Sequence, residues 1–152
     1  MCAAVLVALL VVFGGGCSAL ESYPTDPGGN LAVRTRMDSE VRAALHVHRV
    51  DWRCRTQYVG SVPLDAPSLA LALPDGPASY LVLTFDTSSF LGGSRSTSVA
   101  MFVRPRAGRR YALAVRYHDS IYDVALAESD PSGRKERVLP RQGLEACAAD
   151  AG

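Results

Sequence analysis

No segment of this 152-residue chain repeats its apolar residues at a sustained 3.6-residue spacing, so amphipathic helices are not its building unit. There is no GxSxG, no phosphate-cradling glycine loop, no dinucleotide fingerprint and no Cys/His pair. The serines of SSFLGGSRSTS lack a nearby base, and no other nucleophile is set beside one. Net charge is nearly absent as well: 16 Lys and Arg against 15 Asp and Glu leave +1, which gives nucleic acid no global attraction. Cysteine is scarce, with four in the chain, and only Cys54 and Cys147 stand away from the N-terminal end. The expectation from these absences is a protein that is not an enzyme, takes no cofactor and does not bind nucleic acid.

What is present begins with MCAAVLVALLVVFGGGC. From Cys2 to Phe13 nothing is charged or polar apart from the thiol, and three glycines then lead to Cys17. A short apolar core followed by small residues is the build of a secretory signal peptide, here residues 1–16. With a cysteine directly after the small residues, the stretch resembles the type II signal peptide of bacterial lipoproteins. The resemblance implies that Cys17 is lipidated on sulfur and becomes the first residue of the mature protein. It also implies a membrane partner through the acylated N-terminus and, with Ser18 rather than Asp next, an outer-membrane address facing the periplasm. Two departures from that pattern are Gly14, where an aliphatic residue is usual, and the lack of Lys or Arg before the apolar core. The charge-free stretch from Met1 to Leu20 is also about the length of a membrane span, roughly 20 residues. An uncleaved anchor and a plain secreted product therefore stay open as alternatives, although each glycine costs a spanning helix about 1 kcal/mol relative to alanine.

Residues 17–38 read as the lipidated cysteine and a flexible tether, because Pro24, Pro27, Gly28, Gly29 and Asn30 crowd a stretch poor in apolar residues. Leu31, Val33, Thr35 and Met37 alternate within it and suggest an edge strand. From residue 39 to 152 the period is two. Strand-like runs cover 43–50, 56–64, 69–73, 80–87, 98–104, 111–117, 121–128 and 134–139, with turn chemistry such as Pro74, Asp75, Gly76, Pro77 between them. A slip of phase at Val50, Asp51 and Trp52 suggests a bulge. The 80–87 run is apolar on both faces and should be central. The 98–104 and 111–117 runs read as partners across the turn Pro105 to Arg109. Crossover helices have no room, so the expected fold class is all-β, a seven- to eight-stranded antiparallel β-sandwich. The segments LPDGPASYLVLTF, VRPRAGRRYALAVRY and IYDVALAE resemble transthyretin-like or PEGA-type sandwiches of bacterial envelope proteins, which implies that fold and an exported setting. The catalytic His and Arg signatures of the transthyretin-related hydrolases have no equivalent here.

In an exported compartment the two remaining thiols, Cys54 and Cys147, most simply form a disulfide. A loop that long is credited with about 4 to 5 kcal/mol in the chain-entropy account. His46 and His48 share a strand face at a spacing metals use, but a third ligand such as His118 or Asp119 would have to come from a distant loop. Asp119 and Asp123 are a candidate acid/base pair, though hairpin carboxylates more often bond the turn itself. Arg104, Arg106, Arg109 and Arg110 crowd one turn and are candidates to contact anionic head groups, since Arg pairs with phosphate bidentately. Phe90 and Leu91, before two glycines, offer an apolar loop to a partner. The expected role is a non-enzymatic structural or interaction module meeting an unknown envelope protein. The alternative is a ligand-binding or hydrolase-inhibitor lipoprotein for a sugar, a metal or a cell-wall enzyme.

Overall fold

The computed structural model describes residues 21–89 and 93–149; the leader over 1–16, the lipidation candidate Cys17 and the apolar pair Phe90 and Leu91 lie outside the described residues. Among the described residues nine strands and one short helix follow in order: β1 Leu31–Met37, β2 Val41–Val50, β3 Thr56–Pro63, β4 Ser68–Leu71, β5 Ala78–Ser89, β6 Gly93–Val103, β7 Arg110–His118, β8 Ile121–Ser129, β9 Glu136–Leu139 and α1 Glu145–Ala149. They form a five-stranded sheet in the order β4-β1-β7-β8-β9 and a four-stranded sheet in the order β3-β2-β5-β6. The chain is an all-β sandwich. All pairs are antiparallel except β1 with β7.

Alternation builds the core. Leu45 and Val47 of β2, Leu81, Leu83 and Phe85 of β5, and Val99, Met101 and Val103 of β6 point inward from one sheet. Leu31 and Val33 of β1, Leu113 and Val115 of β7, and Val124 and Leu126 of β8 meet them from the other. Each such side chain contributes about 1.5 to 3 kcal/mol by leaving water. At one end Phe85 stacks on Tyr117 and Tyr122, both rings 5.8 Å away, joining the sheets through aromatic faces.

Four expectations are corrected. Leu31–Met37 is no edge strand: it sits between β4 and β7, because both faces of its backbone ladder find partners. The flexible tether does not extend to residue 38. Tyr23 is buried and donates its hydroxyl to the Ala72 carbonyl at 2.7 Å, and Tyr23 N–H donates to the Ser61 carbonyl at 2.8 Å. Asp26 N–H then donates to Ala70, so residues 21–26 strap the flank of the sandwich from β3 to β4. The bulge lies not at Val50 to Trp52 but opposite Val47/His48, where β3 carries one extra residue. Finally, the turn after β6 does not make a hairpin: β6 pairs with β5, and the chain crosses to the other sheet to become β7.

β5 does lie inside its sheet, between β2 and β6. Its second apolar face has a cause the strand alone does not reveal. The C-terminal tail crosses from β9 to β6, where Phe102 N–H donates to the Gln142 carbonyl at 2.7 Å. The tail then lays Leu144, Ala146 and Cys147 over Val50, Ala78, Tyr80 and Phe102 on the outer surface. Cys147 bonds to Cys54 there, with Cα atoms 5.8 Å apart, an ordinary disulfide separation.

Candidate functional site

The arginine turn is divided by the fold. Arg104 and Arg106 line a cleft of about 300 Å³ whose wall also holds Tyr111, Glu128 and Arg137, whereas Arg109 and Arg110 are not on it. Register explains the wall. Tyr111 stands opposite Glu128 across β7 and β8, and Glu128 opposite Arg137 across β8 and β9. All three occupy the inward-facing row that begins with fully buried Leu71 and Leu31 on β4 and β1. Along that row the side chains pass from core to solvent, and Glu128 is the charged residue at the mouth, 8% exposed. The Tyr111 hydroxyl donates to Glu128 Oε1 at 3.3 Å and accepts from the Arg106 backbone N–H at 3.0 Å. Arg137 Nη2 donates to Glu128 Oε2 at 2.9 Å. Burial, foremost, pushes the Tyr111 pKa up; the neighbouring Glu128 carboxylate adds to this, and the bond from Arg106 opposes it.

The disulfide corner presents a second feature. Asp51 Oδ1 accepts from the backbone N–H groups of Arg53 and Arg55, both at 2.9 Å, and its Oδ2 pairs with the Arg55 guanidinium at 2.7 Å. Those bonds hold the Asp51 carboxyl below its ordinary range, the Arg55 backbone bond foremost. Cys54, which carries the bridge, takes φ 59, a left-handed conformation uncommon outside glycine. The loop carries Trp52, 78% exposed, with the Arg53 guanidinium 4.4 Å from its ring centre. In sequence Trp52 stands where the 43–50 run slips phase and reads as part of a bulge; the Asp51 cap two residues before Arg53 is the signal that a turn starts there.

The histidines separate. His46 and His48 do share the outer face of β2, packed with Tyr58 and Tyr80, and His46 Nε2 lies 3.2 Å from Thr84 Oγ1. Burial, then the charge of His46, lowers the His48 pKa. His118 ends β7 in the other sheet, its Nδ1 2.9 Å from Asp38 and its Nε2 3.2 Å from Asp119. The Asp38 bond and the two carboxylate charges raise the His118 pKa, and the same bond lowers that of Asp38. No group of three metal-ligating side chains forms among the described residues. The acid pair is not assembled: Asp119 is held by His118, and Asp123 stands opposite Arg116 across β7 and β8.

No family model matches this chain, and neither does any curated protein. Among solved structures it is similar to sea bream transthyretin in complex with thyroxine, at 17% identity, covering 66% of this chain and 96% of that one, with TM-score 0.48. A structure of transthyretin from Sparus aurata stands alike, at 16% identity, 66% and 98% coverage and TM-score 0.48. Among the described residues no helix is long and apolar enough to cross a membrane.

Proposed function

We propose that this chain is an exported, lipid-anchored cell-envelope protein whose sandwich is a non-enzymatic interaction module facing the periplasm from the outer membrane. The observation that carries the reading is the Cys54–Cys147 bridge, because such a bond persists in oxidising compartments and agrees with the leader that ends at Cys17. The contact point for a protein partner is the Trp52 loop. Tryptophan and arginine are the residues that most often anchor interfaces, and here a capped, disulfide-braced turn holds them out at low entropic cost.

Metabolic acyl labelling in a bacterial host tests the anchor. The wild-type chain should incorporate lipid and partition with membranes, and Cys17→Ala should do neither; unchanged partition of that variant would end the lipoprotein reading. For the contact, crosslinking in intact envelopes should trap a specific protein that Trp52→Ala no longer traps, while Ile121→Ala, another exposed apolar residue, should still trap it. The ligand-binding alternative has the arginine-lined cleft in its favour, and that cleft supports an inference of its own.

A further inference from the structure

We infer that the cleft between the β6 and β9 flanks binds a small organic anion, a phosphate or carboxylate on a compact body, through the guanidinium groups of Arg106 and Arg137. The inference stands apart from the lipid anchor and from the Trp52 contact.

Among the described residues Glu128 is the one buried charged side chain. A carboxylate withdrawn from water loses its hydration before its partners compensate, and a buried ion pair commonly stabilises no more than apolar residues of the same shape. Core packing therefore supplies no reason for Glu128, since Val124 and Leu126 fill the same inward face of β8 without charge. What Glu128 does is hold other groups. Its Oε2 takes one donor from Arg137, a residue of the cleft wall, and leaves the other N–H groups of that planar guanidinium unused by Glu128. Its Oε1 takes the Tyr111 hydroxyl, which in turn holds the Arg106 backbone at the opposite side of the cleft. One hydrogen-bonded network thus holds the Arg137 guanidinium and the Arg106 backbone on the lining of one cleft before any ligand arrives, which lowers the ordering cost of binding.

The sign of the ligand follows from the wall. Arg106 and Arg137 stand against one carboxylate, Glu128, whose oxygens are both engaged, so the lining is positive on balance. The size follows too: about 300 Å³ exceeds a bare phosphate and lies at the small end of ligand pockets. Phe102, Val103, Leu139 and Pro140 give the wall an apolar part that suits an apolar or ring-shaped body behind the anionic head.

Calorimetry and NMR titration of the full-length protein in neutral detergent test this with inorganic phosphate, phenyl phosphate and benzoate, and flotation tests it with phosphatidylglycerol and phosphatidylcholine vesicles. Phenyl phosphate should bind saturably and shift the side-chain N–H signals of Arg106 and Arg137. Arg106→Gln and Arg137→Gln should each weaken binding about tenfold, Glu128→Gln should weaken it several-fold, and Arg109→Gln should leave it unchanged. Circular dichroism spectra matching the wild type would show that the exposed arginine variants are folded. If only phosphatidylglycerol vesicles bind, with the same dependence on Arg106 and Arg137, the anion is a lipid head group and the cleft still holds it. Equal losses from Arg109→Gln and Arg106→Gln would assign the contact to the turn's diffuse charge and overturn the cleft. So would the absence of saturable binding to every probe at millimolar concentration.

Discussion

Gly28 and Gly29 adjoin between the strap and β1, yet their surroundings differ enough to separate a docked segment from a loose one. A Cβ on Gly29 would run into the Leu71 carbonyl and lie 2.8 Å from the Ala72 nitrogen, all backbone atoms that no rotamer can move aside. A Cβ on Gly28 would meet only the Asp26 carboxylate oxygen at 3.5 Å, an ordinary contact. Gly29→Ala must therefore either push β4 away from the strap or release the strap. Overpacking of this kind costs about 1 to 3 kcal/mol, and contact with rigid backbone puts it at the upper limit. Release forfeits the burial of Tyr23, at about 2 kcal/mol, and its bonds to Ala72 and Ser61, at about 1 kcal/mol each. The freed chain regains part of that as conformational entropy. Both routes give a loss near 3 kcal/mol, which for a domain of this size lowers Tm by roughly 10 °C. Gly28→Ala, by contrast, stiffens the unfolded chain and should change stability by under about 1 kcal/mol, toward the folded side. Thermal unfolding followed by circular dichroism reads both. Equal melting temperatures for Gly28→Ala and Gly29→Ala would mean that residues 21–30 do not dock, and the strap would be refuted.

Three further outcomes are expected. Replacing Cys54 and Cys147 together by serine should cost about 3 to 5 kcal/mol in a urea titration, from the 93-residue separation the bridge closes; two free thiols titrated in the untreated protein would contradict the bond. Phe85→Ala removes the ring stacked on Tyr117 and Tyr122 and should cost about 3 to 5 kcal/mol, whereas a loss under about 1 kcal/mol would show that the two sheets do not meet there. In an NMR titration His118 should titrate above the ordinary histidine value and His48 below it. The stabilising link between His118 and Asp38 is then fully present below pH 6.5 and lost as pH rises through the raised His118 pKa. At the acid end it is lost as pH falls through the lowered Asp38 pKa. Coincident His118 and His48 titrations would contradict both placements.

Which residues form strands was largely readable, because alternation such as Tyr111, Leu113, Val115 and Tyr117 is imposed by the pleat itself. Sheet membership was not. The turn Pro105 to Arg109 looks the same whether it closes a hairpin or carries the chain to the opposite sheet, and only the distant partners of β6 and β7 decide. Glycine at position 29 was ambiguous for a related reason: a missing Cβ permits both flexibility and close approach, and the neighbour that tells them apart is Leu71. The cleft was half visible. Four arginines in one turn stand out, but Tyr111, Glu128 and Arg137 meet only through strand register, so nothing local marked Glu128 as different from a surface acid.

Under tension the disulfide makes most of the domain mechanically silent. A pull applied at the N-terminal strap and at the C-terminal end travels from β2 through Cys54 directly into Cys147, so strands β3 to β9 lie on a closed loop that carries no extension. What can unravel is the chain from Glu21 to Cys54, whose full stretch is on the order of 110 Å. Within it, β1 must part from both β4 and β7 before β2 is reached. In a single-molecule pulling experiment the oxidised protein should give one short extension event, and reductant should lengthen it several-fold.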